Sequence, residues 1–322
     1  MGVYSDINLN EINEILSYYE LGQASDYERT ITGISNSNFQ VKLESGNSIL
    51  LKISNDKTLE QLENEQNILL KLKEYHFEYS LPPCKTILGK PIYHHNNFYG
   101  VVFPFIKGFP PVISMESTYQ IGRALGRLHS LEIHRQDLDT IRPHDLVGYG
   151  GQSILEYTQG ENAAPDFVAA FEKIFPNKLQ DLPYDLFPAG IIHGDLYFDN
   201  SLFFEEKLVT LIDFEQSGTG RFILDIGIAL SGSCLNVGQT DVDLNLLKSF
   251  LSGYEEARKL LAIEKEYLRT AVLVGFFSIS LWRIKRFYEG NLDESKRFNY
   301  RELLNRAEQF AKNEVNLLYQ SI

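Results

Sequence analysis

The spacing of apolar residues changes along the chain and predicts two structural regions. In the first part, apolar and polar residues alternate in short runs such as Phe39–Leu43 and Ile49–Ile53, which is typical of strands joined by tight turns. Farther on, apolar residues recur at intervals of three and four over longer segments, which is typical of helices packed on a core. The pattern predicts an α+β protein. We expect a small antiparallel-sheet lobe over residues 1–105 and a larger, mainly helical lobe over residues 106–322.

Helical spacing and turn signals predict most of the individual elements. The predicted helices cover residues 8–19, 59–72, 119–131, 167–175, 222–230, 244–261, 264–288 and 300–318. Asn8 and Glu11 have the spacing of a capping box, which marks the start of the first helix. Two segments lack a regular pattern. Residues 135–160 are polar and contain glycine, which predicts a mobile loop, and residues 218–220 predict a flexible one.

Polar residues with a fixed spacing interrupt the apolar pattern near residue 193. A short apolar run ends at His193, Gly194 and Asp195, and Asn200 follows at the fifth position after Asp195. A predicted hairpin then ends on Asp213. This segment would supply one carboxylate as a base and two oxygen ligands for Mg²⁺, which are the groups that an ATP-using transferase needs.

Two other interpretations of this segment stay open from the residues alone. Asp and Asn cap turns frequently, so these side chains could have a structural role only. A metallohydrolase using His193, Asp195 and Asp213 is the second alternative, but no further histidine pair at metal-ligand spacing supports it.

A lysine in the first predicted lobe is a candidate for binding phosphate. Lys52 lies within the apolar run Ile49–Ile53, where burial of an ammonium group requires an anionic partner. Glu65, on the helix predicted over residues 59–72, is the favoured partner, and Glu63 is the alternative. A strand lysine paired with a helix glutamate is the kinase arrangement for holding the α- and β-phosphates. A surface lysine with an extended aliphatic stem is the competing interpretation.

Two further segments are candidates for nucleotide binding. The small, polar loop over residues 33–38 contains Ser35 and Ser37, and its backbone N–H groups could contact phosphates. A plain hairpin turn is the alternative, since Gly33 is its single glycine. The hinge between the lobes is predicted near residues 103–108. Its main chain would contact the adenine edge, with apolar residues including Phe103 and Phe105 against the ring.

Composition limits the partners of the protein. The 322 residues carry 43 acidic and 30 basic side chains, a net charge of −13, which argues against nucleic acid or an anionic membrane as a partner. The two cysteines are far apart and predict no disulfide framework. The sequence shows no export signal, so we expect a cytoplasmic protein. The most apolar segment, residues 270–282, is shorter than a membrane span and predicts a buried core helix. The oligomeric state stays open.

Several of these segments together resemble the aminoglycoside/choline-kinase-like phosphotransferases. The matching segments are residues 1–7, 33–39, 50–53, 122–129, 193–200, 211–214 and 225–230. The resemblance implies a protein-kinase-like bilobal fold with ATP in the cleft. By motif match it implies Asp195 as the catalytic base and Asn200 and Asp213 as the Mg²⁺ ligands. It further implies that Lys52 holds phosphate and that Asp225 braces the catalytic loop.

Within that family, the first residues and the loop over residues 33–39 are most similar to type II homoserine kinases. This implies a small amino acid or amino alcohol as the acceptor, with homoserine as the best candidate. The arginines that this group carries near Gly275 and Ser280 are not at those positions here, where arginine appears at Arg283 and Arg286. Choline, ethanolamine or an aminoglycoside are alternative acceptors. A nucleotide-binding module without transfer activity is less favoured, because Lys52 and the three polar residues of the central segment are all present.

Overall fold

The fold is seen in a computed structural model. It describes residues 6–30, 36–55, 57–146, 148–176, 179, 182–235, 242–290 and 293–312. The chain forms two compact units, Met1–Lys107 and Gly108–Ile322. The first contains a small antiparallel sheet and the second is mainly helical, which confirms the predicted α+β class.

The first unit is a five-stranded antiparallel sheet in the order β1-β2-β3-β5-β4 with two helices. Its elements are α1 (Leu9–Leu16), β1 (Ala24–Thr30), β2 (Asn36–Leu43), β3 (Ser48–Ser54), α2 (Leu59–Glu74), β4 (Ile92–His95) and β5 (Phe98–Pro104). The capping box predicted for α1 is present, because the Asn8 side chain accepts from the Glu11 N–H and Glu11 accepts from the Asn8 N–H.

The two faces of this sheet have different roles. Leu51 and Ile53 of β3 are fully buried and pack with Ile12 and Ile15 of α1 in one apolar cluster. Side chains alternate along a strand, so Lys52, between Leu51 and Ile53, points to the opposite face. That face carries α2. The strand pattern therefore directs the one cation of this strand away from the apolar cluster.

One predicted loop in this unit is shorter than expected. Residues 36–38 belong to β2, where Asn36 pairs with Ser54 and Ser37 with Ile53. The remainder of the predicted loop, which includes Gly33 and Ser35, lies outside the described residues.

The second unit contains eight helices and four short strands among its described residues. The helices are α3 (Met115–His129), α4 (Arg135–Leu138), α5 (Gly151–Thr158), α6 (Pro165–Ile174), α7 (Phe222–Ser233), α8 (Leu244–Ala257), α9 (Ala262–Arg283) and α10 (Tyr300–Lys312). The strands are β6 (Ala189–Ile192), β7 (Ser201–Phe204), β8 (Lys207–Leu211) and β9 (Gly218–Arg221). They form two antiparallel pairs, β6 with β9 and β7 with β8.

Two loop predictions for this unit were wrong. Part of the segment over residues 135–160 is helical, in α4 and α5. Residues 218–220 form strand β9 and pair with β6. The glycine signal has a packing cause, because a Cβ atom on Gly218 would lie 2.6 Å from the Arg142 carbonyl oxygen and 2.7 Å from the His144 nitrogen. Gly218 thus permits close approach of two backbones rather than flexibility.

Helix α9 is longer than the apolar segment that predicted it. It continues into a π-helical turn, Ile284–Glu289, so the helical stretch Ala262–Glu289 has 28 residues. By length and composition this one helix of the described part could cross a membrane, but the buried core helix of a globular protein passes the same test. Buried residues make up 72% of its most apolar window, which supports the core-helix interpretation.

Candidate active site

Strand β6 leads into a tight turn that the buried His193 side chain stabilises through hydrogen bonds. The turn passes through Gly194, whose φ of +79° lies in the left-handed region favoured by glycine. The His193 ring is fully buried. Its Nε2 donates to the Ile212 carbonyl at 3.0 Å, and its Nδ1 accepts from the Asp195 N–H at 3.3 Å. His193 therefore ties the loop that carries Asp195 to the segment that leads into Asp213. With both ring nitrogens engaged in this way, the metallohydrolase interpretation loses one of its three ligands.

A buried carboxylate supports the same turn from α7. Asp225 Oδ2 accepts from the His193 N–H at 2.7 Å, and Oδ1 accepts from the Gly194 N–H at 2.8 Å. His129 lies 3.0 Å from Oδ2 through its Nε2. Burial alone would raise the pKa of Asp225, but the hydrogen bond from His129 and the backbone donors outweigh it and lower that pKa. Asp225 is thus an ionised brace for the turn that leads into Asp195.

Asp195 and Asn200 lie together at the end of this loop. The Asn200 side-chain amide donates to the Asp195 carbonyl at 2.7 Å and lies 3.5 Å from the Asp195 carboxylate. The backbone carbonyl of Asn200 accepts from the Ile212 N–H at 2.9 Å, which links the loop to the end of β8. The Asn200 amide nitrogen is thus used within the loop, and the amide oxygen is the atom that could serve as a cation ligand.

Asp213 follows β8 in a conformation that side chains rarely adopt. Its φ of +64° and ψ of +56° are left-handed, although the residue has a Cβ atom. Such strain is found at functional sites, where the surrounding structure enforces it. Here the next residue, Phe214, is buried with its ring 4.5 Å from the His193 ring. Packing of Phe214 on His193 therefore holds the turn in which Asp213 is placed.

The loop that carries Asp195 concentrates negative charge. Burial raises the pKa of Asp195 well above its usual value, and the charges of Asp213, Asp199 and Glu215 raise it further. A carboxylate that holds its proton more tightly is a stronger base toward a substrate hydroxyl. A divalent cation near Asp213 would relieve the repulsion. In the described part of the chain, no three His, Cys, Asp or Glu side chains are grouped to hold a metal alone. The set fits Mg²⁺, which takes one or two protein oxygens and completes its shell with phosphates and water.

In the first unit, two lysines share one glutamate. Lys52 Nζ lies 3.6 Å from Glu65 Oε1, and Lys57 Nζ lies 2.5 Å from Glu65 Oε2. The side chains of Lys52, Lys57 and Glu65 are 13%, 9% and 3% exposed. Glu63 is exposed, so Glu65 is the partner of Lys52. Lys57 cannot be recognised from the sequence, because it lies in a polar segment before α2 where nothing distinguishes it from a surface lysine.

Two of the remaining candidate nucleotide contacts, Ser37 and Phe105, have hydrogen-bond partners within the first unit. Ser37 is 1% exposed, and its hydroxyl accepts from the Asn55 side-chain amide at 2.9 Å. Ser35 lies outside the described residues. Phe103 is buried in β5, and the Phe105 N–H donates to the Ser48 carbonyl at 3.2 Å. A role for these four residues in nucleotide binding therefore stays a prediction.

An aspartate on a braced turn, an asparagine and a second aspartate are the kinds of group that phosphoryl transfer uses as a base and as Mg²⁺ ligands. In agreement, residues 28–265 match the model of the phosphotransferase enzyme family APH, so the chain belongs to that family. The predicted family is confirmed, and the protein is a small-molecule phosphotransferase.

Relatives with curated names and solved structures support this assignment. A homoserine kinase of Bradyrhizobium sp. (strain ORS 278) is 27% identical over 282 residues, which are 83% of this chain and 82% of that protein. An amicoumacin kinase, solved with AMP-PNP, Ca²⁺ and Ami, has a TM-score of 0.72 at 15% identity and covers 94% of both chains. A microcompartment-associated aminopropanol kinase has a TM-score of 0.68 at 16% identity, covering 97% of this chain and 98% of that one. These two structures confirm the protein-kinase-like fold.

Proposed function

We propose that this protein is an ATP- and Mg²⁺-dependent kinase that phosphorylates the hydroxyl group of homoserine. The observation that carries the chemistry is the half-buried Asp195, held by Asn200 on the loop that Asp225 braces. Asp195 accepts the proton of the acceptor hydroxyl while the oxygen forms a bond to the γ-phosphorus, and the bond to the β-phosphate oxygen breaks to release ADP.

The other residues position the reactants and neutralise charge. Asn200 and Asp213 would hold Mg²⁺, which neutralises the phosphate oxygens when bound. Lys52, oriented by Glu65, would hold the α- and β-phosphates. The main chain near Phe103 and Phe105, and the loop with Ser35 and Ser37, would contact the rest of the nucleotide. Residues 1–105 would thus serve nucleotide binding, and residues 106–322 would carry catalysis and the acceptor site. We expect this activity in the cytoplasm.

Guanidinium groups close to the catalytic loop support an acceptor with a carboxylate. Arg283 donates to the Asn299 carbonyl at 2.9 Å and to Glu302 at 3.3 Å, and Arg306 donates to the same Glu302 carboxylate. Burial raises the pKa of the Tyr197 phenol, and the positive charges of Arg283 and Arg306 act against that rise. Their charges act on the Tyr197 side chain of the loop, and these two arginines are our candidates to pair with a substrate carboxylate.

The absence of arginine at Gly275 has a structural explanation. A Cβ atom on Gly275 would lie 2.6 Å from the Gly227 carbonyl oxygen of α7, so a longer side chain has no room there. At Ser280 the side chain is buried and its hydroxyl donates to the Tyr300 carbonyl at 3.3 Å. The arginines that follow in the sequence are Arg283 and Arg286, and Arg306 shares the Glu302 carboxylate with Arg283.

An amino alcohol is the second candidate acceptor. The net charge of −13 favours a cationic substrate, and the aminopropanol kinase shares the fold. A panel of homoserine, aminopropanol, ethanolamine, choline and an aminoglycoside, each assayed by ADP release at saturating Mg-ATP, separates the candidates. We expect the highest kcat/KM with homoserine. A higher value with an amine that lacks a carboxylate would overturn the assignment. Transfer to no acceptor despite Mg-ATP binding would indicate a non-catalytic module.

A further inference from the structure

A continuous chain of buried hydrogen bonds leads from the catalytic loop to the junction between α8 and α9. Beyond the Asp225 brace, His129 Nδ1 lies 2.8 Å from the Tyr254 hydroxyl oxygen. That oxygen accepts from Arg258 at 2.9 Å. Arg258 in turn contacts both carboxylate oxygens of Glu264 at 3.0 Å each. The Arg258 side chain is 13% exposed, and Tyr254 and Glu264 are fully buried.

The donors and acceptors of this chain fit one assignment of protons. Arg258 can only donate, so the Tyr254 oxygen accepts from it, and the Tyr254 proton is directed to His129 Nδ1. His129 Nε2 then carries the ring proton and donates to Asp225. Burial lowers the pKa of His129 in spite of the opposing charge of Asp225, so the ring is neutral and the contact is a hydrogen bond rather than an ion pair.

Packing fixes the geometry of the chain. The His129 ring stacks on Phe222 with a centroid distance of 4.2 Å and an interplanar angle of 13°. The Arg258 guanidinium lies 4.9 Å from the centroid of the Phe222 ring. At the far end, Glu264 also accepts from the Leu261 N–H at 2.9 Å, at the start of α9. The hydrogen-bond chain therefore ends at Glu264 in the first turn of α9 on one side and at the catalytic loop on the other.

We propose that Tyr254, Arg258 and Glu264 are positioning residues for the catalytic loop, acting through the tautomer of His129. Asp225 Oδ2 receives both the His193 N–H and the His129 Nε2–H. Without the Tyr254 hydroxyl, the proton of His129 is no longer fixed on Nε2. An unprotonated Nε2 would face the carboxylate with a lone pair, and the carboxylate would shift together with the two loop amides that it holds. This inference rests on the proposed phosphoryl transfer only in calling the loop catalytic; the predicted change in loop geometry does not depend on it.

The test is the variant Tyr254→Phe, which removes one oxygen and keeps the ring. Amide hydrogen exchange of His193 and Gly194, followed by NMR without nucleotide or acceptor, is expected to accelerate by at least about tenfold. The kcat for the acceptor found in the panel is expected to fall about ten- to a hundredfold, because small displacements of a catalytic group are costly. KM for ATP and for the acceptor should stay within about twofold of the native values.

The matched control is Tyr18→Phe, which breaks a second tyrosine–histidine contact, to His95 Nδ1 at 3.4 Å in the first unit. It should change neither the exchange of the two amides nor kcat. If Tyr254→Phe does not fold, Glu264→Gln weakens the same chain from its outer end and is expected to accelerate the same amides. Unchanged exchange at His193 and Gly194 would overturn the proposal, and so would acceleration spread evenly over the unit. Because the exchange measurement contains no substrate, a failure of the homoserine assignment leaves its result intact.

Discussion

Lys57 Nζ lies 2.5 Å from Glu65 Oε2, whereas Nζ of Lys52, the lysine that the kinase pattern pairs with this glutamate, lies 3.6 Å from Oε1. Glu65 is almost completely buried, so removal of Lys57 would leave one carboxylate oxygen without its cation. We expect Lys57→Met to lower the free energy of unfolding by about 3–5 kcal/mol, the usual cost of breaking a buried ion pair. Urea denaturation measures the change. Lys71→Met, which breaks an ion pair with the exposed Glu74, is the control and should cost about 0–1 kcal/mol. Equal losses in the two variants would contradict this role of Lys57.

Removal of the proposed base should separate chemistry from binding. Asp195→Asn keeps the size of the side chain, so we expect the fold and Mg-ATP binding to persist. The kcat should fall by at least about 10²–10⁴-fold, the usual contribution of a general base. ADP release and calorimetric titration with Mg-ATP check the two expectations. Retention of most of the activity would exclude Asp195 as the base.

The activity should depend on pH through Asp195. Its raised pKa means that the proton is lost at higher pH than from an ordinary aspartate, and only the deprotonated form acts as a base. The kcat/KM should therefore fall as the pH drops through this pKa. Asp199→Asn removes one of the charges that raise the pKa and should move the acid limb to lower pH. Asp185→Asn, on an exposed side chain paired with Arg221, should leave the profile unchanged. A shift of the acid limb to higher pH in Asp199→Asn would contradict the electrostatic argument.

Metal removal should abolish transfer reversibly. We expect EDTA to stop ADP release and added Mg²⁺ to restore it, since the proposed ligands are oxygens that suit a hard cation. Asn200→Ala should raise the Mg²⁺ concentration needed for half-maximal activity. Zn²⁺ should not replace Mg²⁺, because His193 already uses both ring nitrogens. Full activity in EDTA would remove the proposed roles of Asn200 and Asp213.

The acceptor carboxylate should depend on Arg283. The loss of a charge-assisted contact in Arg283→Met should raise KM for homoserine by about ten- to a hundredfold, equivalent to about 1.4–2.8 kcal/mol. KM for ethanolamine, if it is phosphorylated at all, should change little, because it has no carboxylate. Arg297→Met, at an arginine paired with the exposed Glu294, is the control. Equal effects of Arg283→Met on both acceptors would contradict a carboxylate contact.

Short-range patterns predicted the features that depend on neighbouring residues. The α1 capping box, the hairpin before Asp213 and the direction of Lys52 follow from spacings of a few residues. Lys57 is not singled out in this way, because it lies in a polar segment before α2. Arg306 has the i,i+4 spacing of an ordinary helix-surface pair with Glu302, and only the fold brings that glutamate to Arg283 as well. Gly218 was misread for a related reason. Its conformation is ordinary strand, and the need for glycine comes from the backbone of residues 142–144 packed against it.

The length of helix α9 fixes the distance between two parts of the second unit. Its first turn holds Glu264, the outer anchor of the hydrogen-bond chain, and its last residue is Arg283, the proposed carboxylate contact. A residue inserted between them would advance one end by about 1.5 Å and rotate it by about 100° relative to the other. Relatives that preserve both functions should therefore keep the number of residues between these positions constant, even where the side chains between them change.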